Sequence, residues 1–220
     1  MRLAEDLALV AIDPSSGRHA LGRRSVLNAC LGGLLLAELF LDDVIQPEER
    51  ANRMVVTGRA EPTTTALAAA TTVVIEKGPK VKAILSHMDR GLTRHLGLGT
   101  WDATIAGLVD ARVLRASTGR VRTHHDVSDV FVRDSVIATL RLAAAGDNDL
   151  DLRTAALLSM IGPAHLLEVV APDRAMRPHA RQRIDHALDG TPLQAVGEIV
   201  RRLIADAETA VAAGSIAATS

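Results

Sequence analysis

Apolar positions recur every three to four residues over most of this chain, the spacing that lines one face of a helix. Residues 3–12 open with such a helix, which stops at Asp13-Pro14-Ser15-Ser16-Gly17, a run of turn formers. The spacing predicts a second helix from a Ser25 cap to about residue 41, apolar nearly all round, as befits an element enclosed by others. Residues 45–60 break the pattern, and Met54-Val55-Val56-Thr57-Gly58 reads as a short strand. Helices follow over 66–76, where Val73, Val74 and Ile75 would suit a strand as well, and over 81–89, with Val81, Ile84, Leu85 and Met88 on one face. A helix over 101–112 places Trp101, Ile105, Leu108 and Val109 at one-turn spacing, and Val113-Leu114-Arg115, a Ser117-Thr118-Gly119 turn and Arg120-Val121-Arg122-Thr123 form a hairpin. The rest reads as helices over 131–145, 152–170, 173–188 and 193–213, with Asp173 and Thr191 as caps.

The expected fold class is therefore mainly α, a single-domain helical fold with a small β-hairpin. At 220 residues one core is expected, as a domain over 1–214 with a flexible tail over 215–220. Aromatic residues are limited to Trp101, Phe40 and Phe131, so the core must be built from Leu, Val, Ile and Ala, which favours helix-on-helix packing. Lys plus Arg number 25 against 26 Asp plus Glu, so no global basic field draws the protein to nucleic acid or an anionic bilayer. Any such contact must come from a local patch. The single cysteine, Cys30, can form neither an internal disulfide nor a thiolate metal site, which fits a reducing cytoplasm. Glu5 and Asp6 interrupt the opening stretch where an export signal would be apolar, and Asn28, Gly32, Gly33 and Glu38 within 26–41 point to a core helix rather than a membrane span.

Catalytic signatures are sparse. There is no Walker loop, dinucleotide fingerprint, Gly-x-Ser-x-Gly elbow or His-Glu-x-x-His pair, and no cofactor is implied. His124-His125-Asp126 past the hairpin could share a metal ion only in irregular backbone, because adjacent strand residues face opposite sides; the alternative is a solvated loop. His87, His165, His179 and His186 stand alone on helical segments. Arg23 and Arg24 precede Ser25 at the start of the apolar helix, where free N–H groups and the dipole already favour an anion. They either bind a phosphate or pair with surface carboxylates. Trp101 is the one large amphipathic ring, and Arg177, Arg181 and Arg183 form a solvated stripe. Arg115, Arg120 and Arg122 on the hairpin admit a winged-helix nucleic-acid reader, against which the apolar Ile105, Leu108 and Val109 argue.

Several segments taken in order resemble the Golgi phosphoprotein 3 family, in its bacterial branch. They are Leu3-Ala4-Glu5-Asp6-Leu7-Ala8-Leu9, the turn from Asp13 to Gly17, and Leu34-Leu35-Leu36-Ala37-Glu38-Leu39. Gly107-Leu108-Val109-Asp110-Ala111-Arg112-Val113-Leu114, Asp151-Leu152-Arg153-Thr154-Ala155-Ala156-Leu157-Leu158 and Arg181-Gln182-Arg183-Ile184 continue the likeness. The resemblance implies a helical domain with a projecting hairpin that binds the head group of phosphatidylinositol 4-phosphate and acts as a membrane adaptor. The family's head-group tryptophan falls on Arg23, and its arginines fall on Gly32 and near Leu98 and Trp101, so none is retained in place. The hairpin tip, apolar in the eukaryotic members, is polar here, with Arg120, Val121 and Arg122 as its membrane-facing residues. The resulting expectation is a non-enzymatic cytoplasmic domain, peripheral at a membrane. Its partner would be an anionic phospholipid head group, held by Arg23, Arg24 and Trp101, or another protein. No nucleic acid is expected, and a homo-oligomer is compatible with the sequence.

Overall fold

The computed structural model describes residues 1–13, 18–19, 24–48, 52–118, 123–128, 130–146 and 148–217; the side chains of 18–19, 117–118, 123–125 and 211–217 are outside that description. The first half runs α1 (Leu3–Ala11), β1 (Ile12–Asp13), β2 (Arg18–His19), α2 (Arg24–Leu41), β3 (Ile45–Pro47), β4 (Met54–Val56), α3 (Thr65–Lys77), α4 (Val81–Leu96) and α5 (Thr100–Asp110). The second half runs β5 (Leu114–Thr118), β6 (Thr123–Val127), α6 (Val130–Ala145), α7 (Leu152–Ile161), α8 (Leu167–Val170), α9 (Arg177–Leu188) and α10 (Pro192–Ala217). The strands pair only as β1–β2, β3–β4 and β5–β6, each antiparallel, among the described residues. The fold is mainly α, as the apolar spacing predicts.

Helix α2 occupies the centre because its sequence offers no polar face. Val26, Leu27, Leu31, Leu34, Leu35, Leu36 and Leu39 are all buried, against α1, α4, α5, α7 and α10. By length and composition α2 could cross a membrane, yet 67% of it is enclosed by the rest of the chain. Glu38, 1% exposed, is the exception to its apolar character. Its carboxylate accepts from Arg2 Nη1 at 2.9 Å and from the backbone N–H of Leu3 at 2.7 Å, and pairs with Arg153 Nη2 at 2.9 Å. A buried carboxylate is tolerated only with such a full set of donors. The set here joins α2 to the start of α1 and to α7.

The half-buried Asp6, on α1 beside Arg153, lacks that provision, and burial pushes its pKa from 3.8 to about 6. Between those values the folded chain retains a proton that the unfolded chain has released. Stability from this group is therefore greatest near pH 4 and falls as pH rises to about 6.

Several boundaries differ from expectation for identifiable reasons. Helix α2 is described from Arg24, which places Ser25 inside it. Helix α4 runs through Gly91 to Leu96, beyond the predicted end at residue 89. A Cβ at Gly91 would lie 2.2 Å from Val73 Cγ2, so the glycine's weak helix propensity is offset by the close approach of α3. The 3–12 and 66–76 helices are present, the latter capped by Thr64, whose hydroxyl accepts from Leu67 N–H at 3.2 Å. The expected 152–170 helix divides into α7 and α8. Pro163 has no N–H to continue the ladder, and His165 turns the chain at φ 60°. Asp173 caps a short 3₁₀ turn, Arg174–Met176, that precedes α9, and the Thr191 hydroxyl donates back to Leu188 O at 2.6 Å instead of capping α10.

Two outcomes follow from the buried acids. Glu38→Ala strands the Leu3 N–H and removes one acceptor each from Arg2 and Arg153, which keep Asp42 and Met1 O, and should lower unfolding free energy by about 1–3 kcal/mol in chemical denaturation. Asp6→Asn should raise the melting temperature at pH 7 and flatten the fall in stability between pH 4 and 6. The gain is at most about 3 kcal/mol, the equivalent of the shift.

Candidate functional site

The first turns of α2 and α5 lie together and bring two of the sequence-predicted site residues to one corner. Arg24, 52% exposed, pairs with Asp102 on the first turn of α5. One turn along α2, the Asn28 amide donates to Asp89 Oδ1 at 2.9 Å, and its carbonyl oxygen accepts from the backbone N–H of Trp101 at 3.1 Å. The same Asp89 oxygen accepts from Thr100 N–H at 2.7 Å. The donors that open α5 are thus held by acceptors from α2 and α4, and a carboxylate of the protein stands where an anion would be attracted. Trp101 is buried at 6% exposure and belongs to the core cluster. Arg23 lies outside the described residues. Among the described residues, an anion would enter this corner by exchange at the exposed Arg24–Asp102 pair, since such pairs are worth about 0–1 kcal/mol.

At the other end of α5 the chain turns at Ala111-Arg112, with Arg112 exposed at φ 60°, and enters the hairpin. The ladder is longer than the sequence suggests. Ala116 pairs with His125 and Ser117 with His124, so the His124-His125-Asp126 segment is strand β6 and not the irregular loop that a shared ion would need. The side chains of His124 and His125 lie outside the described residues, as do Arg120, Val121 and Arg122. Arg115 is exposed opposite Asp126 in the register. Immediately beyond β6, α6 begins with Val130, 50% exposed, and Phe131, 81% exposed. Phe131 is a surface residue that hydropathy alone assigns to the core. Its place in a helix's first turn, right after the hairpin, was the available signal. Helix α5 itself buries Trp101, Ile105 and Leu108 against α1, α2 and α4, and presents no continuous basic face of the kind a recognition helix needs. Burial pushes the Cys30 thiol up to about 12, which keeps it protonated and unreactive.

Two cavities lie elsewhere in the fold. One of about 440 Å³ lies between α1, α2, α5 and the start of α3, and carries Glu5, Glu38 and Asp110 on its wall, with Leu98 at its edge. A second, of about 410 Å³, lies between α7, α9 and α10 and is lined by Arg181 and Arg201. The predicted arginine stripe divides accordingly: Arg177 donates to Ala171 O at 3.0 Å, Arg183 donates to Asn148 O, and Arg181 faces the second cavity. Neither Arg24 nor Trp101 lines either cavity.

The family model for Golgi phosphoprotein 3 (GPP34) matches residues 3–207. The chain belongs to this family. A search of curated proteins found no match. Within this GPP34 fold, the position to which the resemblance assigns a head-group arginine, Gly32, faces α4. A Cβ there would lie 3.3 Å from Met88 Cγ, so a larger side chain at residue 32 must displace packed methionine. Leu98, at a second such position, is 40% exposed at the edge of the first cavity.

The α5 corner predicts a contrast between two substitutions. Asp89→Ala strands Thr100 N–H and the Asn28 amide and should cost about 1–3 kcal/mol in denaturant unfolding. Arg24→Ala should change stability by less than about 1 kcal/mol.

Proposed function

We propose that this GPP34 domain is a non-enzymatic peripheral adaptor that rests on an anionic lipid surface, from the cytoplasm, through its β5–β6 hairpin and the first turn of α6. Phe131 carries the reading. A phenylalanine that is 81% exposed, with Val130 at 50% beside it, is unusual in a chain with so few rings, and it sits directly after the hairpin. Exposed Arg112 and Arg115 flank the hairpin base, and Arg120 and Arg122 lie in the turn sequence. Inserted apolar area and local positive charge are the two sources of peripheral membrane affinity. With Gly32 closed off by Met88, this reading assigns affinity to charge and insertion, without a pocket selective for one phosphoinositide.

Co-sedimentation with phosphatidylcholine vesicles tests it, using vesicles that contain phosphatidylserine or phosphatidylinositol 4-phosphate at matched charge, or neither. Both anionic preparations should bind the protein alike, high salt should weaken the binding, and neutral vesicles should bind little. Phe131→Ser should weaken the association about tenfold, the equivalent of losing a buried ring. Negligible binding throughout, or binding unchanged by Phe131→Ser, would overturn the reading.

A further inference from the structure

The second cavity stands apart from the lipid-facing surface and has its own chemistry. It forms where α7 ends at Gly162-Pro163, so the chain leaves the helix and α9 and α10 close over the gap. The floor is apolar: Leu158, Ile184 and Ile204 are buried, and the Ser159 hydroxyl is spent on Ala156 O at 2.7 Å. The rim is charged. Arg181 from α9 and Arg201 from α10 both line it, and neither makes an ion pair or hydrogen bond among the described residues. His165 and Glu208, also on the rim, take up each other at 3.3 Å. Asp185 lies one turn from Arg181 without pairing with it, so two carboxylates, Asp185 and Glu208, share the rim with two guanidiniums that are left unpaired among the described residues.

Several other arginines are put to structural use. Arg133 donates to Leu9 O and Ile12 O, Arg141 to Val169 O, and Arg177 to Ala171 O. Arg181 and Arg201 serve no such end. Both are exposed at the mouth of the cavity, where an entering anion can be met by two guanidiniums. Guanidiniums hold carboxylate and phosphate oxygens through paired N–H donors. The volume, about 410 Å³, falls in the range of small-ligand sites.

We infer that the cavity between α7, α9 and α10 binds a small amphiphile, its single oxyanion head, carboxylate or phosphate monoester, held by Arg181 and Arg201 and its apolar chain on the Leu158–Ile184–Ile204 floor. The site is independent of membrane docking and would survive the failure of that reading.

Isothermal titration of the full chain with octyl phosphate and with octanoate, beside inorganic phosphate and acetate as head-only controls, tests this inference. At least one chain-bearing anion should bind, and its head-only counterpart should bind at least about tenfold more weakly for want of the apolar floor. The tighter of the two amphiphiles identifies the head group. Arg181→Gln and Arg201→Gln should each weaken binding about tenfold, the loss of one charge-assisted contact. Arg202→Gln, next in sequence but paired with Glu198 outside the cavity, should leave it unchanged. The bound amphiphile should also raise the melting temperature of the parent chain and raise it less in the two variants. Absence of binding by both amphiphiles, equal binding of head-only and chain-bearing anions, or full affinity in both arginine variants would overturn the inference.

Discussion

The central helix can be central only because its one carboxylate is fully provided for. α2 is buried on nearly every side, and in that setting an ionised group without donors would cost more than the helix's packing could offset. Glu38 meets the condition with donors from two other elements: Arg2 and the Leu3 N–H at the start of α1, and Arg153 on α7. Because each donor has one reach and one direction, the carboxylate fixes how α1 and α7 sit on α2. Arg2 extends the constraint, bonding Asp42 past the end of α2 at 2.7 Å and also Thr63 ahead of α3. Apolar packing alone is non-directional and would allow those helices to slide. The wall of the first cavity, which includes Arg2, Glu38 and Glu5, is a by-product of this arrangement.

The same requirement, that polar ends be satisfied within the chain, governs the corner where an anion site was expected. A helix start attracts anions while its N–H groups are free. At α5 Asp89 and Asn28 have already taken the first two, and Asp102 has taken Arg24. Carbonyl ends are treated alike, with Arg133 closing the end of α1 and Arg177 the turn after α8. A chain rich in arginine can use the forked guanidinium as a cap, a geometry that lysine cannot supply. Charge near a helix end is thus a poor guide to a ligand in this protein. A guanidinium without partners, facing a cavity, is a better one.

That distinction explains what the sequence could reveal. Helical periodicity located nearly every helix, since the 3.6-residue spacing is a local property and the apolar faces are broad. The family resemblance was legible in ordered segments such as 107–114 and 151–158, which build the corner after α5 and the start of α7. Pairings across the fold were not legible. Glu38 stands out in an apolar run, but nothing local ties it to Arg2, 36 residues away. Arg181 looks like one member of a solvated stripe until α10 brings Arg201 to the same cavity. Phe131 resembles a core residue until the hairpin leaves the first turn of α6 uncovered.

Residue 32 carries this reasoning furthest. A glycine there lets Met88 pack against α2, with space for little more than the hydrogen atoms it has. The GPP34 architecture persists because its stability rests on Glu38 and the apolar seams of α2, none of which requires an arginine at that place. Residue 32 is therefore part of the packing between α2 and α4. Leu98, which is exposed, is under no such restriction, and neither are the surfaces that the framework leaves uncovered, Phe131 beside the hairpin and Arg181 and Arg201 by α7.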